Sequence, residues 1–220
     1  MKQTHPINII LADDHIVLRD ALALSIDSSN NFRVIGKAAD GFELLEILQT
    51  EEIPDIVLLD LHMPRMDGYE VAAILQRKYP SVKILVLTMY DSEIALIRLL
   101  QMGVRGFVKK DIHPEELDAA LEEVANNGYH YSNNTTGKLG VMLYKAKTEN
   151  TSIDKALPNE TEIEFLKLAS TDMTYKEIAM VMKLTPRAVD SYRDALFEKL
   201  DVKSRVGLAI FSIRNGIIGV

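Results

Sequence analysis

The sequence predicts two units of different class: an α/β domain with a doubly wound parallel sheet of five βα units, (βα)5, followed by an all-α domain of four helices. Three observations predict this. From residue 7 to about 126, short apolar runs alternate with amphipathic stretches across short connections, the signature of parallel strands covered on both faces. From Asn159 onward the pattern is wholly helical, with legible start signals. Charge is also split: residues 1–157 hold 16 Lys+Arg against 23 Asp+Glu, whereas residues 158–220 hold 9 of each, so two functions share one chain.

The strands are read at Ile7 to Leu11, Val34 to Ala38, Ile56 to Asp60, Lys83 to Thr88 and Arg105 to Val108, each followed by a helical pattern. Leu96, Leu99 and Leu100, then Leu117, Ala120, Leu121 and Val124, carry helical spacing. Asn126-Asn127-Gly128 ends the first domain, residues 1–128. Residues 129–157 form a turn-rich linker with one short helix, Lys138 to Lys147; the Asn-x-Ser/Thr triplets at Asn133, Asn134 and Asn150 are read as linker asparagines.

The second domain, residues 158–220, opens on Asn159 with Glu162, followed by Thr174 with Glu177, both caps with a carboxylate three residues on. Thr185-Pro186 starts a third helix and Ser204 a fourth, whose Val206, Leu208, Ile210, Phe211 and Ile213 run to the stop signal Asn215-Gly216.

Composition bounds the function classes. A hydrophobic content of 47% supports two cores, and the absence of Cys excludes disulfides, thiolate metal sites and a Cys nucleophile. No signal-like N-terminus or stretch of ~20 apolar residues is present, so the expectation is a cytoplasmic protein with no membrane association.

The chemistry gathers at strand ends. Asp60 closes the apolar run Ile56-Val57-Leu58-Leu59, and Asp13-Asp14 closes Ile7-Asn8-Ile9-Ile10-Leu11. Open α/β sheets place ligands at the carboxyl ends of their strands. Three acids meeting there repel one another unless a cation joins them. Thr88 and Lys110, at the ends of two further strands, add a hydroxyl and an ammonium. Together these residues supply oxygen ligands for a hard cation such as Mg2+ (or Mn2+) and donors for a phosphoryl group on Asp60. Taken singly, Asp13 or Asp14 fits a helix cap, Thr88 a strand end, Lys110 a solvated cation, Phe107 a core aromatic and His62 an exposed loop residue. Joint spacing at four strand ends favours the site.

The acid pair, the stretch Asp60-Leu61-His62-Met63-Pro64-Arg65-Met66-Asp67-Gly68, Thr88 and Lys110 resemble, in order, the receiver domain of two-component response regulators. The resemblance implies that Asp60 is the phosphoacceptor for a sensor histidine kinase, that Asp14 binds Mg2+ directly and Asp13 mainly through water, and that the His62 backbone carbonyl completes the protein's share of the metal shell. It further implies that Thr88 and Lys110 bind the phosphoryl oxygens, that Phe107 is the aromatic switch, and that His62 and Tyr90 influence the lifetime of the phosphate.

In the second domain, Glu162 to Leu168, Thr174 to Ala179, Thr185 to Val189 and Leu200 to Arg205 resemble the LuxR-type helix-turn-helix domain, and the whole chain resembles the NarL/FixJ-type regulators over about nine-tenths of its length. The resemblance makes Thr174 to Met182 the first helix of the motif, Lys183-Leu184 the turn, and Thr185 to Leu200 the recognition helix. Val189, Leu196 and Leu200 form a core stripe, while Arg187, Asp190, Ser191, Arg193, Asp194 and Lys199 form the solvent face. With Lys203 and Arg205 these are the candidate DNA contacts.

The chain departs from the commonest family pattern, in which a Lys follows the Val and a His comes two residues later; here Val189-Asp190-Ser191-Tyr192 puts acids one turn apart, at Asp190 and Asp194. An Asp can accept from a cytosine amino group, and the basic residues can offset its repulsion of phosphates. The expected partners are therefore a sensor kinase, promoter DNA and a second copy of the chain, as a homodimer when phosphorylated or DNA-bound. Two alternatives stay open: a phosphorylation-controlled adaptor whose helical domain binds protein, and a phosphohydrolase. The second lacks the acid two residues after Asp60 that aspartate-based hydrolases use, so chemistry beyond self-phosphotransfer and autodephosphorylation is not expected.

Overall fold

Five apolar segments assemble into one parallel sheet whose central strands are buried on both faces. In a computed structural model describing residues 5–50, 52–89, 93–131 and 158–218, the strands are Ile7–Ala12 (β1), Phe32–Ala38 (β2), Ile56–Asp60 (β3), Lys83–Thr88 (β4) and Gly106–Lys109 (β5), in the order β2-β1-β3-β4-β5. The helices between and after them are Ile16–Asp27 (α1), Gly41–Thr50 (α2), Gly68–Lys78 (α3), Glu93–Gln101 (α4) and Pro114–Asn127 (α5).

Alternation along the strands builds two layers. Ile9, Leu11, Ile56, Leu58, Leu85, Leu87 and Val108 pack with Ala23 and Ile26 of α1 and Leu117, Leu121 and Val124 of α5. Ile10, Val57, Leu59 and Val86, one residue out of phase, are buried on the opposite face. All five residues of β3 are buried, as expected of a central parallel strand. The strand ends differ from the expected ones by a residue or two: β2 begins at Phe32, which is buried in register with Ile7, and β5 runs to Lys109.

β1 lies between β2 and β3, so the chain leaves β1 toward one side of the sheet and β3 toward the other. The crevice opened by this divergence holds the carboxyl ends of β1 and β3. After β3 the turn is tight. Gly68 starts α3 against the backbone of the strand end, where a Cβ would lie 2.2 Å from the Asp60 carbonyl oxygen and 2.8 Å from Leu61 Cα. Asp67 caps α3 in a reciprocal box with Glu70 (2.9 and 3.1 Å).

Past Gly128, which closes α5 with φ +86°, the chain does not leave the sheet at once. His130 donates its N–H to the Arg105 carbonyl (2.8 Å) and Tyr131 packs on Phe107, their ring centroids 5.8 Å apart. These first residues of the expected linker extend the edge beside β5, a tertiary pairing no local signal announces.

The all-α unit comprises Glu160–Ala169 (α6), Tyr175–Val181 (α7), Pro186–Lys199 (α8) and Arg205–Arg214 (α9). Its caps are those expected from the sequence: Asn159 and Glu162 form a reciprocal box, as do Thr174 and Glu177. Thr185 accepts from the Ala188 N–H (3.2 Å) and Ser204 from that of Gly207 (3.1 Å). Phe165, Leu166, Ile178, Val189, Leu196 and Leu208, none measurably exposed, make its core. Among the described residues there are nine helices, none long and apolar enough to cross a membrane. The short helix expected at 138–147, the three Asn-x-Ser/Thr triplets and Tyr90 fall outside the described residues.

Candidate functional site

Three strand ends deliver the charged groups of the crevice. Asp60 is the last residue of β3 and Asp13 follows β1; both are buried (2% and 1% exposed). Lys110 follows β5 and its N–H bonds the Thr88 carbonyl at 3.1 Å, tying the fourth and fifth strand ends together. The Lys110 ammonium lies 2.9 Å from a carboxylate oxygen of Asp13 and 2.9 Å from one of Asp60, bridging the two buried acids. The other Asp60 oxygen accepts the Leu61 N–H at 2.7 Å. Asp14, half-exposed, and the neighbouring oxygen of Asp13 flank the imidazole of His15 at 2.8 and 3.1 Å. Arg19 donates to the Asp13 carbonyl (2.6 Å), bracing the loop.

Neither acid of the pair caps α1: His15 occupies that position, and Asp13 instead accepts the His15 N–H at 2.8 Å. Thr88 is buried at the end of β4, one residue beyond the register partner of Asp60. Phe107 is buried in β5. His62 is half-buried instead of exposed, because the tight return into α3 folds its loop over the strand end.

Burial pushes the Asp60 carboxyl above the ordinary aspartate value against the pull of Lys110, and the charge of Asp13 adds to the rise. Burial alone would lower Lys110, but its hydrogen bonds to Asp13 and Asp60 and their charges carry it above the ordinary lysine value. Because the folded protein binds the Asp60 proton more tightly than the unfolded chain, this group's contribution to stability falls as pH rises from the ordinary carboxyl value through the folded one. Asp60→Asn, with Lys110 still held by Asp13, is therefore expected to raise the urea midpoint at neutral pH in metal-free buffer. The gain should shrink as pH falls toward the ordinary aspartate value of ~4 and vanish below it, where the wild-type acid is protonated in both states. A gain independent of pH would contradict this origin.

Asp13, Asp14, His15 and Asp60 offer ligand atoms that all lie within 4.8 Å of one another. Three are hard carboxylate oxygens suited to a hard divalent cation. Reading the sequence for acids alone passes over His15; its position directly after the acid pair was the available signal.

The second candidate surface is α8. Arg187, Asp190, Ser191 and Asp194 are exposed along one face, opposite the buried Val189 and Leu196. Lys203 is exposed beyond the helix. Arg193 and Lys199, expected on the solvent face, are half-buried. Lys199 pairs with the capping carboxylate of Glu162 at 2.8 Å, and Arg193 reaches both Asp190 and Asp194 at 2.8 Å with its guanidinium 5.2 Å from the Tyr175 ring centroid. Arg205 donates to the Ala169 and Thr171 carbonyls at 2.8 and 2.7 Å, satisfying the end of α6. Lys199 and Arg205 thus serve the fold through partners more than thirty residues distant, which periodicity does not reveal.

A five-stranded parallel domain with an acidic edge, joined to a helix-turn-helix domain, has the architecture of a two-component signalling protein. Residues 9–122 match the response regulator receiver domain, and residues 159–212 match the bacterial regulatory proteins of the luxR family. The chain belongs to the NarL/FixJ-type response regulators and is a transcription-regulating member of that family. It is 30% identical over 212 residues to the uncharacterized transcriptional regulatory protein YhcZ of Bacillus subtilis, spanning 96% of this chain and 97% of that one. It is 27% identical to the response regulator GacA of Pseudomonas aeruginosa, spanning 96% and 98%. In fold it resembles RcsB of Salmonella enterica serovar Typhimurium, solved bound to promoter P1flhDC with the phosphomimetic BeF3-, at a TM-score of 0.67 and 24% identity over 93% of this chain and 97% of that one.

Proposed function

We propose that Asp60 is the phosphoacceptor of this regulator and that its phosphate controls sequence-specific binding of promoter DNA by α8. The observation that carries the reading is the Lys110 ammonium held between Asp13 and Asp60 at the carboxyl edge of the sheet. The Asp60 carboxylate forms an O–P bond as the P–N bond of a sensor kinase's phosphohistidine breaks and the imidazole departs. Lys110 then neutralises the new oxygens while Thr88 donates to one of them. Asp13, Asp14, Asp60 and the His62 carbonyl would hold Mg2+ (or Mn2+), which when bound neutralises the acids and withdraws charge from the phosphoryl oxygens.

Phosphorylation adds about -1.5 to -2 charge. Drawing Thr88 toward that charge opens space beside Phe107, whose rotation would shift the population between two states of the domain. The functional division is residues 1–128 for phosphoacceptance, 129–157 as linker and 158–220 for DNA binding, in a cytoplasmic protein that pairs as a homodimer when phosphorylated or DNA-bound. Its covalent chemistry is confined to self-phosphotransfer and autodephosphorylation. RcsB's capture on promoter DNA supports the output assignment. The acids on α8 favour the alternative, a protein-binding adaptor.

Selection of genomic fragments by the full chain, with and without an acyl-phosphate donor and Mg2+, separates the two. Sequence-selective, salt-sensitive enrichment raised by the donor is expected, and Asp60→Ala should lose both the incorporated phosphate and the rise. Asp60→Ala still acquiring phosphate would exclude Asp60 as acceptor; a wild-type protein enriching no fragment would favour the adaptor.

A further inference from the structure

We infer that α8 reads a base bearing an exocyclic amino group, cytosine or adenine, through the Asp190 carboxylate, and that Arg193 is a positioning residue for Asp190 and Asp194 and makes no phosphate contact. This rests on the DNA-binding reading proposed above. The exposed residues 187, 190, 191 and 194 recur at three- and four-residue spacing, so they share one helix face, backed by Val189 and Leu196 in the core. In a helix-turn-helix the early part of the second helix meets the base edges, and Asp190 is the fifth residue of α8. An ionised carboxylate only accepts hydrogen bonds. In the major groove the donors are the amino groups of cytosine and adenine, whereas guanine and thymine oppose acceptor to acceptor.

Two bare carboxylates would be driven away from the phosphates, and Arg193 changes that balance. One guanidinium nitrogen lies 2.8 Å from Asp190, while two others lie 2.8 and 2.9 Å from Asp194, leaving the trio with one net negative charge in place of two. Tyr175 carries Arg193 on its ring at 5.2 Å and Arg205 at 5.3 Å, and stacks on Phe165 of the core. Arg193 is thus anchored to the domain while it aims both acids outward. Its donors are directed at Asp190 and Asp194, so the exposed Arg187 and Lys203 are the residues that meet phosphates.

The test uses the full chain treated with acetyl phosphate and Mg2+, selecting from a randomised duplex library. The wild type should return a consensus with one position restricted to cytosine or adenine. Asp190→Ala should admit all four bases there, losing roughly 10-fold or more of discrimination while neighbouring positions stay unchanged, and Asp190→Asn should move the preference toward adenine. Arg193→Ala should relax that same position without lowering the salt dependence of binding, and Arg193→Lys should not rescue it, because one ammonium cannot span both acids and lie flat on Tyr175. Asp190 and Asp194 are 52% and 64% exposed at the side chain, so circular dichroism should show the Asp190 variants folded.

A wild-type consensus without an amino-restricted position, or the same consensus from Asp190→Ala, overturns the inference. So does an Arg193→Ala protein that keeps its selectivity while its salt slope drops by about 1, the mark of a lost phosphate contact. If the wild type selects no sequence at all, the DNA-binding reading fails and this inference falls with it.

Discussion

Replacing Lys110 with Ala is expected to cost the α/β domain about 3 kcal/mol at pH 7, the largest effect of any single truncation at the acidic edge. The ammonium lies 2.9 Å from both Asp13 and Asp60, whose side chains are almost fully shielded from water. Its removal leaves two like charges buried together with no cation between them. The Asp60 carboxyl, already raised by burial, loses the pull of Lys110 and binds its proton more tightly still in the folded state, so the loss should shrink as the pH is lowered and this acid is neutralised. Hydrogen exchange of the β3 amides measures the global opening free energy of this domain without requiring the whole chain to unfold in one step. A deficit under about 1 kcal/mol at pH 7, or one that grows on acidification, would show that Lys110 does not bridge the pair. Saturating Mg2+ should restore most of the lost protection by supplying the missing cation.

Gly68→Ala is expected to be nearly as damaging, for a steric reason. The new methyl would stand 2.2 Å from the Asp60 carbonyl oxygen and 2.8 Å from Leu61 Cα, both backbone atoms that cannot rotate aside. The start of α3 must retreat or the end of β3 must bend, at a cost of about 2 to 3 kcal/mol. Either adjustment moves Asp60 and the Leu61 N–H that holds its carboxylate, so phosphate uptake from an acyl-phosphate donor should slow about tenfold or more. An Asp67→Ala protein removes the cap of the same helix without inserting an atom beside Asp60. It should lose only about 1 kcal/mol and keep most of its phosphorylation rate. Equal effects from the two substitutions would mean that the close approach at Gly68 is unimportant to the site.

The legible parts of this protein are those written in local chemistry. Continuous apolar runs along Ile7–Ala12 and Ile56–Asp60 specify buried parallel strands, and Asn159, Thr174, Thr185 and Ser204 specify helix starts, because capping is settled within four residues of sequence. Asp13, Asp60, Thr88 and Lys110 were readable because each ends an apolar strand, and parallel topology sends those ends to one edge of the sheet. What stayed hidden depends on distant pairings. Tyr131 on Phe107, Arg65 between Asp40 and Glu43, and Lys199 on Glu162 each join segments without any shared local pattern.

The sequence by itself determined the two-domain class, the order of the elements and the chemical kind of the acidic edge, since periodicity, caps and strand-end residues act over short separations. Only the tertiary structure decided how the charges are used. Asp13 and Asp60 share one ammonium, and the five basic residues read as candidate DNA contacts divide into Arg187 and Lys203, which are exposed, and Arg193, Lys199 and Arg205, which are engaged by the protein itself. The reason is physical: a charge is spent on whichever partner lies within a few ångströms in space, and separation along the chain does not measure that distance.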